Sequence, residues 1–254
     1  MIIAVTRQVS RSIADCELTF LPRVRIDVER ARQQHSQYEA VLKILGLAVL
    51  SLPEEPDLPD SVFVEDAALV LEECAILTRC AAASRRPESE SIARVLRPYR
   101  QLHLIQSPAR IDGGDILRVG KDLYVGVSER TDANAMEQMQ DFVAPYAYHV
   151  HPVAVTGCLH LKSAVTQVGP ATLLINPAWV DRQMFRNVNF IDTDASEPYA
   201  GNALLVGDAL IYPSAFPRTR ARLAAEGLRV VPVDADELAK AEGAVTCCSL
   251  IFAV

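Results

Sequence analysis

A cysteine, a histidine and a carboxylate are the parts of a thiol catalyst, and this chain carries all three. Cys247 lies in Thr246-Cys247-Cys248-Ser249, His160 in Leu159-His160-Leu161-Lys162, and Asp112 opens Asp112-Gly113-Gly114-Asp115. A thiolate is the nucleophile. An imidazole can hold the thiol proton and later deliver one to a leaving group. A carboxylate orients that imidazole and stabilises its charged form. A second set is acidic: Asp60, Glu65 and Asp66 place three carboxylates in seven residues around Val62-Phe63-Val64. Charges among apolar neighbours are costly unless they meet a cation, and a planar guanidinium pairs bidentately with carboxylates. Read as an extended run, the segment puts Phe63 and Glu65 on one face and Val62, Val64 and Asp66 on the other.

Singly, each piece has a plainer reading. A lone cysteine before an apolar run is usually a core residue, a single histidine is often a satisfied buried one, and Asp-Gly-Gly-Asp is usually a turn. Pro59-Asp60 suits a solvated loop. Spacing argues for chemistry. Five apolar units follow anchors at Asp66, Asp115, Ser163, Asn202 and Cys248, at intervals of 49, 48, 39 and 46 residues. Self-similarity of this length signals a solenoid or a closed, propeller-like ring. Asp112 and His160 stand three residues before their anchors, and Glu65 and Cys247 one before theirs. Related places in a ring face one axis, so distant residues are brought together. Cys248, as the first residue of a strand, is expected to point away from Cys247 into the core; adjacent cysteines chelate a metal poorly, and no metal is needed.

The elements that must position these residues are legible from turn and helix signals. Glycine turns between short apolar runs predict hairpins around Gly120-Lys121, Gly169-Pro170 and Gly207-Asp208, and Glu72-Glu73 holds the same place in the first unit. Helices are predicted over residues 27–45, 88–96, 132–143 and 217–226, with Asp132 as an N-cap and Gly46 and Gly227 as stops. Short strands follow at 47–51, 102–105, 148–150 and 229–233. The strand at residues 2–5 lies outside the five anchors and is expected to join the last unit and close the ring. The fold class is therefore α/β, with five repeats of two strands, a helix and a strand.

The chain has 254 residues, a net charge of −7 and a pI near 5.3. One catalytic domain over residues 1–254 is expected, because no linker interrupts the repeats. Half the residues are apolar, enough for a sizeable core. An acidic chain lacks the basic face that nucleic acid requires. No run is long enough to cross a bilayer, and Met1-Ile2-Ile3-Ala4-Val5 reads as a buried strand, not a signal peptide. A cytoplasmic protein with six reduced cysteines is expected.

At this point the residues resemble a family. The segments Pro59-Asp60-Ser61-Val62-Phe63-Val64-Glu65-Asp66, Thr78-Arg79 with Ser84-Arg85-Arg86, Asp112-Gly113-Gly114-Asp115, Leu159-His160-Leu161-Lys162, Phe216-Pro217-Arg218-Thr219 and Thr246-Cys247-Cys248-Ser249 are similar, in order and over nearly the whole chain, to those of the dimethylarginine dimethylaminohydrolases. The resemblance implies the pentein fold, a pseudo-five-fold α/β propeller. It implies Cys247 as nucleophile, His160 as general acid/base and Asp112 as the acid behind the histidine, where the family often has a glutamate. It further implies that Glu65 and Asp66 bind a guanidinium, helped by Asp60 and packed on Phe63. The resemblance also implies that Arg85 and Arg130 clamp the substrate's α-carboxylate and that Leu18 rides on a flexible lid.

The implied reaction is hydrolysis of Nω-methylated arginine to citrulline through a covalent S-alkylthiouronium on Cys247, with no cofactor. The implied partner is a small cationic amino acid, and the oligomeric state stays open between monomer and homodimer. Three alternatives stand beside it: another guanidine-modifying hydrolase of the arginine deiminase kind, a guanidine-binding pentein without turnover, or a purely structural ring, against which the buried-type carboxylates count. The larger deiminases carry an extra helical domain, for which this chain has no room. A mere binding protein has no need of Cys247.

Overall fold

The computed structural model describes residues 1–254. Its architecture is five three-stranded sheets, each an antiparallel hairpin whose second strand pairs in parallel with a third. The chain opens with β1 (Ile2–Arg7), α1 (Val28–Ile44) and β2 (Ala48–Leu52), then β3 (Ala68–Val70), β4 (Cys74–Leu77), α2 (Glu88–Leu96) and β5 (Gln101–Leu104). Next come β6 (Ile116–Val119), β7 (Asp122–Val127), α3 (Ala133–Val143) and β8 (His149–Ala154). A one-turn helix α4 (Leu161–Ala164) leads into β9 (Val165–Gly169), β10 (Thr172–Ile175) and β11 (Asn189–Asp192). The last full repeat is β12 (Leu204–Val206), β13 (Ala209–Pro213), α5 (Pro217–Ala225) and β14 (Arg229–Val233), followed by α6 (Asp236–Ala239) and β15 (Leu250–Ala253). β15 pairs antiparallel with β1, so the final hairpin is split between the two ends of the chain, as the sequence suggests. Met1 N and the carbonyl of Val254 meet at 2.8 Å.

Local chemistry explains the elements. Asp27 and Asp132 cap α1 and α3 by accepting the N–H of Arg30 and Ala135, each contributing about 1 kcal/mol. Met136, Met139 and Val143 are the buried stripe of α3. Five apolar clusters lie between neighbouring sheets. Ile3, Val5 and Leu250 pack with Ala75 and Leu77. Cys74 and Ile76 pack with Ile116 and Leu123. Leu117 and Tyr124 meet Val165 and Leu173. Val168 and Leu174 meet Leu210 and Tyr212. Val206, Ile211 and Val233 return to Ala4. Each sheet thus shares a core with the one before and the one after, which closes the ring.

Three local expectations are corrected. The third repeat has no α-helix between β10 and β11, only a 3-10 turn at Arg182–Met184; its shorter interval, 39 residues, is too brief for one. The run around Phe63 is not a strand, since Val64–Ala67 is 3-10 helix. Its carboxylates draw in Arg85, Lys162 and the Gly114 N–H, and a turn presents both Glu65 and Asp66 inward. The anchors do not begin the strands either: β3, β6, β9, β12 and β15 start one or two residues later. Cys248 therefore reaches the core from a turn, where it is buried and donates to the carbonyl of Ala244.

Candidate active site

The turns that precede the first strand of each hairpin converge, and hydrogen bonds pass from one repeat to the next around them. Gly114 N–H donates to Asp66 Oδ1 at 2.8 Å. Leu161 N–H donates to Asp115 Oδ1 at 2.9 Å. Asn202 Nδ2 donates to the carbonyl of Lys162 at 2.9 Å, and Thr246 N–H donates to Asn202 Oδ1 at 3.1 Å. Glu65 N–H donates to the Cys247 carbonyl at 3.1 Å. All five repeats are joined here. The Gly113-Gly114 pair is explained by this closeness rather than by turn conformation. A Cβ on Gly113 would lie 1.9 Å from the Glu65 carbonyl, and one on Gly114 would lie 2.5 Å from His160 Nδ1.

A small cavity of about 10 Å³ opens at this centre. Cys247, His160, Asp60, Phe63, Asp66, Arg85 and Arg130 all line it, with Glu17, Leu159, Ala241, Glu242 and Gly243 completing the wall. Asp112 stands behind the histidine, fully buried, with Oδ2 3.2 Å from His160 Nε2. The shorter aspartate therefore reaches the ring. Asp66 Oδ1 lies 4.0 Å from the other ring nitrogen, Nδ1. Burial opposes the imidazolium, but the carboxylates of Asp66, Asp112 and Asp115 outweigh it and hold His160 up at about 9. Burial, then the charges of Glu65 and Asp66, push the Cys247 thiol up to about 12. Asp66 itself stays ionised. Burial favours its neutral form, but Arg85 and His160 draw it down to about 2.

Three expected site residues lie in settings their types did not reveal. Glu65 faces Lys162 Nζ at 2.5 Å and accepts the Thr246 hydroxyl at 2.8 Å, so its charge is shared behind the cavity. Arg85 is an internal ion pair: its guanidinium grips both oxygens of Glu88, at 3.0 and 2.9 Å, and Asp66 Oδ2 at 2.7 Å. Leu18 is half-buried on a strap, residues 17–21, whose Glu17 lines the cavity; Leu18 itself lines no part of it and packs on the core that contains Phe63. Glu242 accepts three successive strap N–H groups, from Thr19, Phe20 and Leu21. Arg130 donates to Thr19 Oγ1 at 2.7 Å, and Asp60 accepts the Glu17 N–H at 3.0 Å. A larger cavity of about 460 Å³ lies across the wall formed by Leu159, Glu242 and Gly243, with Phe20 and Leu21 of the strap on its rim.

Sequence reasoning missed Lys162, Glu88 and Glu242 as site residues. Glu88 had a signal, its place three residues after Arg85; Lys162 had one in its adjacency to the His160 motif; Glu242 had none. Counting these and Glu17, eight carboxylates (Glu17, Asp60, Glu65, Asp66, Glu88, Asp112, Asp115 and Glu242) stand in and around the site with four cations (Arg85, Arg130, Lys162 and protonated His160). Burial raises Asp60, Glu65 and Asp115, and raises Glu88 to about 7, yet carboxylates still outnumber cations. A buried thiol, an imidazolium and surplus negative charge suit nucleophilic attack on a cation. No group of His, Cys, Asp and Glu has the arrangement to hold a metal ion, and no helix is long and apolar enough to cross a membrane.

A model of the eukaryotic N,N dimethylarginine dimethylhydrolases matches residues 22–252. The N(G),N(G)-dimethylarginine dimethylaminohydrolase of Pseudomonas aeruginosa is 34% identical over 98% of both chains. That of Streptomyces coelicolor is 34% identical over 97% of this chain and 95% of its own. A solved structure of the Pseudomonas protein, a cysteine-to-serine mutant complexed with citrulline, superposes with a TM-score of 0.94 over 98% of both chains.

Proposed function

This chain belongs to the dimethylarginine dimethylaminohydrolase family, and from that premise we propose that it hydrolyses Nω-methylated arginine to citrulline and a methylated amine. The observation that carries the proposal is the one cavity shared by Cys247, His160 and an excess of carboxylates. The substrate guanidinium pairs with Asp66, backed by Glu65 and flanked by Asp60, over the Phe63 ring. Arg130 and the fixed charge of Arg85, both on the cavity wall, meet the α-carboxylate. The free space of about 10 Å³ holds no arginine side chain; the strap bearing Leu18 must lift for entry and settle afterwards.

With the thiol near 12 and the imidazole near 9, the site rests as neutral Cys247 and protonated His160 at neutral pH. The bound guanidinium supplies the missing positive charge and lowers the cost of the thiolate, whose proton leaves to solvent. Sulfur attacks the guanidinium carbon and forms the S–C bond. His160 gives its proton to the methylated nitrogen, the C–N bond breaks, and neutral amine departs. A cationic S-alkylthiouronium remains. Neutral His160 then takes a proton from water as its oxygen attacks the same carbon. The S–C bond breaks, citrulline leaves, and the thiolate is reprotonated. Splitting one difficult displacement into two is the general gain of covalent catalysis, and Asp112 orients the imidazole throughout.

Citrulline release from asymmetric dimethylarginine, beside arginine and symmetric dimethylarginine, tests the reading. Turnover of the asymmetric substrate, reduced about a thousandfold or more in Cys247→Ser, is expected. Preferred turnover of unmethylated arginine would favour a deiminase, and no turnover of any would overturn the hydrolase reading.

A further inference from the structure

Asp115 takes no step in the chemistry above, yet it is wholly buried and its two oxygens reach two separate parts of the site. Oδ1 accepts the N–H of Leu161, the residue after His160, at 2.9 Å. Oδ2 accepts the hydroxyls of Ser128 at 2.6 Å and Thr131 at 2.7 Å. These two residues bracket Arg130, and Ser128 Oγ accepts the Arg130 N–H at 3.0 Å. The Asp115 amide is itself tied to the Asp112 carbonyl at 3.0 Å. The fit leaves no slack: a Cβ at Gly126 would lie 2.5 Å from Asp115 Oδ1. Asp66 and Asn202 also grip the backbone of the next repeat. Asp115 does this and holds the arginine loop as well.

Its charge is the second observation. No lysine or arginine bonds to Asp115; its partners are one amide and two hydroxyls. Burial pushes the Asp115 carboxyl up, and the cation that opposes this and favours its ionised form is His160. That imidazole is faced by Asp112 at 3.2 Å and Asp66 at 4.0 Å. Arg130 stands 3.7 Å from Asp112, and Arg85 2.7 Å from Asp66. Cys247 shares the cavity. Both neighbouring carboxylates thus have an arginine of their own, whereas Asp115 has none.

We propose that Asp115 is a positioning residue that locks the His160 turn and the Arg130 loop into one frame and supplies a fixed counter-charge to the imidazolium. The proposal rests on the roles given above to His160 and Arg130 and adds the residue that couples them. A rigid carboxylate bonded to both segments fixes the distance between the proton donor and the carboxylate clamp, which a buried shell of hydrogen bonds does well.

The test is Asp115→Asn, which keeps shape and an acceptor for Leu161 but removes the charge. Titration of ¹⁵N-histidine-labelled protein by NMR reads His160 directly. The midpoint is expected to fall by about half a pH unit or more, with kcat on asymmetric dimethylarginine reduced about tenfold. Ser128→Ala cuts the arm to Arg130 alone: KM should rise several-fold, while the His160 midpoint stays in place. A folded Asp115→Asn protein with an unmoved His160 midpoint would overturn the proposal, as would Ser128→Ala with an unchanged KM. If Asp115→Asn does not fold, Ser128→Ala and Thr131→Ala carry the test through the same split between KM and the midpoint. The titration needs no turnover, so it reports on Asp115 even if methylated arginine proves not to be the substrate.

Discussion

Cys247 and His160 face one cavity with unequal appetites for protons, and the order matters. The thiol sits near 12 because burial and two carboxylates oppose its anion, while the imidazole sits near 9 because three carboxylates reward its cation. Alkylation of Cys247 by iodoacetamide should therefore be slow at pH 7 and still climbing at pH 10, and a bound guanidinium analogue too small to block sulfur should accelerate it. A rate that levels off below pH 7 would contradict this ordering. The same shifts act on stability. Asp66, depressed to about 2, contributes stability above the unfolded value of about 4 that is lost as pH falls through 2. His160, raised to about 9, contributes stability below about 6.5 that is lost as pH rises through 9. These two groups place the highest melting temperature between about pH 4 and 6.5, and Glu88, raised to about 7, draws it to the acid side of that window, because its contribution is lost as pH rises from about 4.5 through 7; His160→Gln should flatten the decline between pH 7 and 9. At this scale the sequence was informative about identities and poor about partners. Cys247, His160 and Asp112 stood out by type and repeat position. That Glu65 would meet Lys162, 97 residues away, could not be read, because the pairing exists only once the ring closes.

The strap over the cavity is the element whose motion the account requires. Its backbone is held by two carboxylates, Glu242, which accepts the N–H groups of Thr19, Phe20 and Leu21, and Asp60, which accepts that of Glu17, while Arg130 donates to the Thr19 hydroxyl. Glu242 lies just past α6 with a left-handed φ of 58°. Glu242→Ala should speed amide hydrogen exchange at residues 19–21 about tenfold or more, and change KM with little effect on overall stability. Unaltered exchange would mean that the strap is held elsewhere. Helices and hairpins were legible because their signals are local: Asp132 caps α3 and Gly120 turns β6 into β7 as expected. The 3-10 turn at Val64–Ala67 was not, because the β-branched and aromatic run Val62-Phe63-Val64 imitates a strand. What decides the matter is the distant Arg85 and Gly114.

For the whole molecule, the ring explains both the fold and the site. Five shared apolar clusters join each sheet to its neighbours, and β1 with β15 closes the circle through a hairpin that has no covalent turn. A circular permutant that joins residues 254 and 1 by a short linker and opens at Gly207-Asp208, an exposed turn, should fold and retain turnover within about threefold. Its failure to fold would show that the order of repeats, rather than their mutual packing, determines the architecture. The repeat intervals were legible in advance, but a complete unit was expected in every repeat, and the short third interval was not read as the missing helix that the structure shows.

The most direct test of the central claim is intact-protein mass spectrometry after acid quench of the enzyme turning over asymmetric dimethylarginine. The account predicts a transient adduct of the substrate less dimethylamine, located on the peptide that carries Cys247. Steady turnover with Cys247 unmodified at every time point, or an adduct on another residue, would contradict it.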